Sequence, residues 1–218
     1  MPPAGPRRGK YLGFVAHEIK NPLATALWSC DLLKRMEVAD RAGPRADKMV
    51  DVSLRALRRM RRLVEDYFMI ERLQENGYDL RRETIALKDL MDGALQALSE
   101  KDNIKTDGWG LDLPQGSVSG DVDMLRRGLR ALLEHLARGV PEPMLTIVGH
   151  VGNGHCTLLL RAEVPPEPLV PPDPEDRASG DPTGGVLGYA LAEHILLVHA
   201  GKLEERDGGL LVTLPAAA

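Results

Sequence analysis

Apolar side chains recur at alternating intervals of four and three through Leu12, Ala16, Ile19, Leu23, Ala26, Cys30 and Leu33. That spacing lines one face of an α-helix and has the heptad form by which helices pack on other helices. "EVADRAGPRA" interrupts it with Gly43 and Pro44. A second stripe follows through Met49, Ser53, Ala56, Met60, Leu63, Tyr67 and Ile70, widened by Leu57 and Val64, and ends at the turn signal "QENGYD". The pattern predicts two helices in a hairpin. Such a hairpin has an apolar seam that neither helix buries alone, so a homodimer through residues 8–75, making a four-helix bundle, is the expected solution.

After residue 78 the periodicity changes. "DLRRETIAL" reads as a strand, "LKDLMDGALQALSE" as a helix, "IKTDGWGLDLP" as strand material and "DVDMLRRGLRALLEHLARGV" as a strongly amphipathic helix. "MLTIVGHV" and "HCTLLLRAEV" read as strands paired around a "GNG" turn. A Pro-rich segment, the helix "VLGYALAEHILLVHAG" and a hairpin turned at "RDGG" follow. The fold class is therefore α+β: a disordered leader over 1–9, a helical hairpin over 10–76 and an α/β domain over 78–218.

Composition narrows the function. Aromatic residues are only 4% of the chain, so aliphatic packing must carry the core, and the net charge of −4 gives no reason to expect nucleic acid. Cys30 and Cys156 match no disulfide framework or zinc spacing, which suits a reducing, cytoplasmic location. No apolar run reaches the length of a membrane span, and "MPPAGPRRGK" lacks a signal peptide's apolar core. His194 and His199 diverge around their helix while His150 and His155 flank a turn, so no metal site is expected from them.

Chemistry concentrates in "FVAHEIKNPL", residues 14–23. His17 stands one position past the seam residue Ala16 and so points away from the bundle core. Asn21 lies one turn further on nearly the same line, with Gly13 and Ala24 adding little bulk beside it. An outward histidine bordered by small residues is accessible to a partner protein. Trp28 returns to the same line three turns from His17. The arginines of "RALRRMRR", Arg58 and Arg62 among them, form a basic belt on the second helix near this level.

"FVAHEIKNPL" resembles the H-box of two-component sensor histidine kinases, and the resemblance continues through "RRMRRLVEDYFMIERLQ". It implies that His17 is the phosphoacceptor and that Glu18 is the general base drawing a proton from the imidazole. Asn21 would orient water in the reverse, phosphatase direction. Pro22 leaves the Glu18 carbonyl without its normal amide partner and loosens the helix beside the histidine. A response-regulator receiver domain is the implied partner, with the basic belt suited to its acidic pocket and Trp28 and Ala24 on the surface it would meet.

The order of elements after residue 78 resembles the α/β sandwich of the histidine-kinase ATPase type, but its ligand positions depart from the family. Two asparagines that would serve magnesium fall on Ala131 and His135, neither of which supplies a carboxamide oxygen. The adenine-reading motif is "EVPPEP", with Glu163 retained and prolines in place of glycines. The later glycine motif survives as Gly184, Gly185 and Gly188. No cofactor is therefore expected. The favoured reading is phosphotransfer between receiver aspartates and His17, with receiver phosphatase activity as its counterpart. The alternative is an ATP-dependent kinase using ATP and magnesium at a divergent site. A non-catalytic binding module is the third class, and it has no need of Glu18 or Asn21.

Overall fold

The computed structural model describes residues 11–75, 78–102, 104–166, 185–206 and 208–217. The expected leader, Gly184 and the Pro-rich stretch from 167 onward lie outside them. The chain divides into two compact units, one holding the helical residues up to Glu71 together with residues 185–187, the other the α/β residues from Arg72 onward and from Gly188 to the end. Among the described residues, no helix is long and apolar enough to cross a membrane.

The helical unit is the predicted hairpin. Helix α1 (Leu12–Arg35) runs uninterrupted through Pro22. The expected turn contains a short 3₁₀ helix, Val38–Ala42. From it the Arg41 guanidinium donates to the carbonyls of Lys34 and Met36, each at 3.2 Å. These bonds give donors to carbonyls that a helix end leaves without intrahelical partners. Helix α2 (Pro44–Gln74) starts on its proline, where a fixed φ suits the first helical position and the missing N–H costs nothing.

On α2 the buried line is the predicted one, with Met49, Ser53, Ala56, Leu63 and Ile70. On α1 it is displaced: Val15, Glu18, Pro22, Ala26 and Ser29 are buried, sharing only Ala26 with the heptad seam. The small residues here let the two backbones approach, and Ser53 Oγ lies 3.5 Å from the Ala26 carbonyl to which it donates. The aliphatic seam itself stays open at Leu12 and Leu23, joined by Leu27. On α2 a second open stripe, Val50, Leu54, Leu57, Val64 and Phe68, repeats at heptad spacing. A heptad count finds the wide apolar arc of α1 but not the part of it that faces α2.

In the α/β unit, β1 (Arg82–Ala86) pairs antiparallel with β3 (Ser117–Asp121) as a two-stranded sheet. A five-stranded sheet has the order β2-β4-β5-β7-β6, from β2 (Gly110–Asp112), β4 (Leu145–Gly152), β5 (His155–Ala162), β6 (Lys202–Arg206) and β7 (Gly209–Pro215). Its helices are α3 (Leu87–Asp102), α4 (Val122–Leu136) and α5 (Gly185–Val198). Along β4 buried Leu145 and Ile147 alternate with exposed Thr146 and Val148, so one face of the sheet meets the core. That core is aliphatic, as the composition requires, with Leu90, Leu129, Leu132, Leu158, Ile195 and Val212 buried.

Two strand expectations need correction. "IKTDGWGLDLP" supplies only the three residues of β2, because Trp109 is buried and its indole N–H donates to the Pro143 carbonyl at 2.7 Å. Strand β3 was not expected at all: "SVSGD" is short, polar and contains glycine, and its strand form comes from pairing with β1. The "GNG" turn is present, with φ of 53° at Asn153 and 75° at Gly154, the left-handed pair that a tight hairpin needs.

Candidate functional site

The phosphoacceptor expectation falls on α1. His17 is half-buried, while Asn21, Ala24 and Trp28 along the same flank are exposed. Trp28 is 60% exposed. Leu12 and Leu23 lie roughly 120–140° away around the helix, so the open aliphatic seam and the His17 flank are separate surfaces. On α2, Arg58 is exposed and Arg62 half-buried; Arg58 stands one turn beyond Leu54 and so borders the open stripe. The antiparallel hairpin brings these arginines to the level of His17 through Ala24, because Glu18 meets Arg59 and Ala26 meets Ser53.

Glu18 is placed differently from its neighbour. Its side chain is only 1% exposed, on the line that α1 turns toward α2, and its Oε2 lies 3.5 Å from Nη2 of Arg59. A carboxylate withdrawn from water needs a cation or several donors, and the guanidinium supplies the charge. Arg59 is itself 28% exposed, reaching from the basic belt into the hairpin. Sequence reasoning grouped this arginine with its neighbours in the basic belt. Its position midway between buried Ala56 and Leu63 was the signal that separates it from Arg58.

In the α/β unit the nucleotide-like positions are occupied by packing. Ala131 is buried on α4, and a Cβ added to Gly188 of α5 would sit 3.7 Å from its methyl. His135 is 8% exposed and meets the Tyr189 ring edge-on, with centroids 5.5 Å apart. Burial, with help from Glu205 and Glu193, raises the pKa of the Tyr189 phenol above its usual value. Glu163 is exposed just beyond β5, its backbone N–H donating to the Met144 carbonyl at 2.9 Å. Gly185 opens α5, and Gly184 lies outside the described residues. The structure thus joins Ala131 to Gly188 and adds Tyr189, which the sequence did not single out.

Two other histidines, His199 and His194, have structural partners. His199 is fully buried; its Nδ1 lies 2.7 Å from the Ile195 carbonyl and its Nε2 3.0 Å from the Asp121 N–H. A carbonyl only accepts and an N–H only donates, so the ring is the neutral Nδ1–H tautomer. Burial lowers its pKa below the usual histidine value. Asp121 also caps α4, accepting from the Met124 N–H at 3.2 Å. By the same logic His194 donates from Nδ1 to Ala190 at 2.7 Å and accepts from the Gln74 amide at 2.9 Å.

Comparison with known proteins agrees with this geometry. The model of the His Kinase A (phospho-acceptor) domain matches residues 7–76. The sensor protein KdpD of Escherichia coli (strain K12) is 25% identical over 227 residues, covering 95% of this chain and 24% of KdpD. The chain therefore spans about a quarter of that relative. Among solved structures, the Acinetobacter baumannii histidine kinase AdeS superposes with a TM-score of 0.67 at 19% identity, covering 93% of this chain and 98% of that one. Histidine kinase ThkA, solved in complex with response regulator protein TrrA, gives 0.64 at 17% identity, covering 96% of this chain and 62% of that one. The fold is a helical hairpin, matched by the phospho-acceptor domain model, followed by an α/β domain with the fold of the histidine-kinase ATPase type.

Proposed function

We propose that this chain, whose residues 7–76 match the model of the His Kinase A (phospho-acceptor) domain, is a sensor histidine kinase core that works as a phosphorelay protein carrying a phosphoryl group on His17. A neutral imidazole is a competent nucleophile near neutral pH. One ring nitrogen attacks the phosphorus of a receiver aspartyl phosphate, the P–O bond to the aspartate breaks, and the proton of the other nitrogen passes toward Glu18. Asn21, one turn along the same exposed flank, is placed to orient water when a receiver is dephosphorylated.

The partner is a response-regulator receiver domain, as ThkA has in its complex with TrrA. Trp28 and Ala24 form its contact surface, and Arg58 and Arg62 draw in its acidic pocket. A second copy of the chain covers the open heptad stripes of α1 and α2. The observation that carries phosphotransfer over ATP-driven autophosphorylation is the pair Ala131 and His135. On the resemblance they fall where the family carries its asparagines, and both are packed against α5.

Two incubations test this reading. One supplies labelled ATP with magnesium, and the other supplies receiver domains labelled at their aspartates. Label moving to the chain from a receiver but not from ATP is the expected result, with His17→Gln accepting none. Rapid labelling of His17 from ATP overturns the phosphotransfer reading in favour of a kinase, and label on His17→Gln removes His17 from the mechanism.

A further inference from the structure

We propose that Arg59 is a positioning residue for the phosphoacceptor site, acting through Glu18; the proposal rests on the functional reading above and deepens it. Glu18 follows His17 directly, yet its carboxylate is drawn into the hairpin, where it is 1% exposed and 3.5 Å from Arg59 Nη2. Its neighbours along the buried line, Val15, Pro22 and Ala26, offer no charge. A buried carboxylate takes its orientation from the groups that compensate it, and Arg59 Nη2 meets it at one oxygen, Oε2. Arg59 comes from the other helix, so the base beside His17 is held by α2. Any displacement of α2 against α1 then moves the proton acceptor.

The chemical step is an ordinary phosphoryl transfer. With phosphoramidate as a small donor, one imidazole nitrogen forms the new P–N bond, the donor's own P–N bond breaks and ammonia leaves. The proton on the second ring nitrogen goes to Glu18. The role assigned to Arg59 is on the carboxylate and not on the phosphorus. Its effect is on where the carboxylate stands and how readily it takes the proton, since a nearby cation favours the ionised form.

The test uses the full chain, labelled with phosphoramidate over a range of pH. Arg59→Gln should slow labelling of His17 on the order of tenfold or more, a part of what a general base contributes. It should also move the limb of the rate profile due to the carboxylate to higher pH, because the cation that favoured ionisation is gone. Arg59→Lys should keep the limb in place and recover part of the rate. In a Glu18→Gln background, Arg59→Gln should add no further loss. A purely structural arginine would lower the amount of folded protein without moving the pH limb, and its loss would add to that of Glu18→Gln. Wild-type rates and an unshifted limb in both Arg59 variants overturn this proposal while leaving His17 as acceptor. Should Arg59→Gln not fold, Arg59→Lys in the Glu18→Gln background still decides: a further rate loss there refutes action through Glu18. Labelling that survives in His17→Gln overturns the underlying reading instead.

Discussion

Replacing Trp28 by Ala isolates the partner surface from the fold. Trp28 is 60% exposed, so less than half of its side chain contributes to its own chain. A tryptophan buries up to about 250 Å², which leaves about 150 Å² for a partner to cover. At about 25 cal/mol per Å² that area is worth at most about 4 kcal/mol. Ordering the side chain and incomplete coverage remove roughly half. The expected loss is about 2 kcal/mol, a roughly thirtyfold weaker Kd for the receiver. Calorimetry on a receiver that exchanges phosphate with the chain measures this directly. Fluorescence offers a second readout, because Trp109 is buried in the α/β unit and Trp28 is open. Docking should therefore shift the Trp28 emission and leave Trp109 unmoved. Thermal unfolding of Trp28→Ala should stay within about 1 kcal/mol of wild type, as for a surface substitution. Receiver affinity within twofold of wild type would refute the reasoning and put the anchor elsewhere on the hairpin.

Two further predictions concern the α/β unit. His199 is held neutral, mainly by burial, with a folded pKa below the unfolded value of about 6.5. The unfolded chain takes up a proton that the folded chain refuses as pH falls below about 6.5. Stability should thus be lost on acidification by up to about 1.4 kcal/mol per pH unit, and urea midpoints should show this slope reduced in His199→Gln. Isothermal titration with ATP and magnesium should show no micromolar binding, since His135 and Ala131 supply no oxygen ligand; tight, magnesium-dependent binding would contradict the phosphotransfer reading.

The hairpin was legible because its stripes are long and its H-box is specific, and α2 buries the line its spacing marks. On α1 the same count found an arc rather than a contact. A 3.6-residue period locates apolar residues on a helix, but which neighbour covers each edge is a tertiary matter. Glu18 shows the limit most plainly. By residue type it belongs on the surface, and an arginine reaching across from α2 helps to make its burial tolerable. Strand β3 escaped for a related reason, since its form is set by β1 rather than by its own residues. In the nucleotide-like region the absence of asparagines could be read, whereas the packing of Tyr189 on His135 could not.

Pro22 and Arg59 belong to one argument. The proline ring has no N–H, so the Glu18 carbonyl four residues earlier loses the backbone bond that would tie it into α1. On the role proposed for Glu18, the residue that takes the proton from His17 is therefore one whose carbonyl lacks that intrahelical bond. Its side chain is held from α2 instead, by the Arg59 guanidinium at 3.5 Å. Loosening within α1 and anchoring from α2 transfer control of the carboxylate from local helix geometry to the packing of the two helices. On that reading a change in the packing of the two helices reaches His17 through the Glu18 carboxylate, in a helix that runs uninterrupted through Pro22.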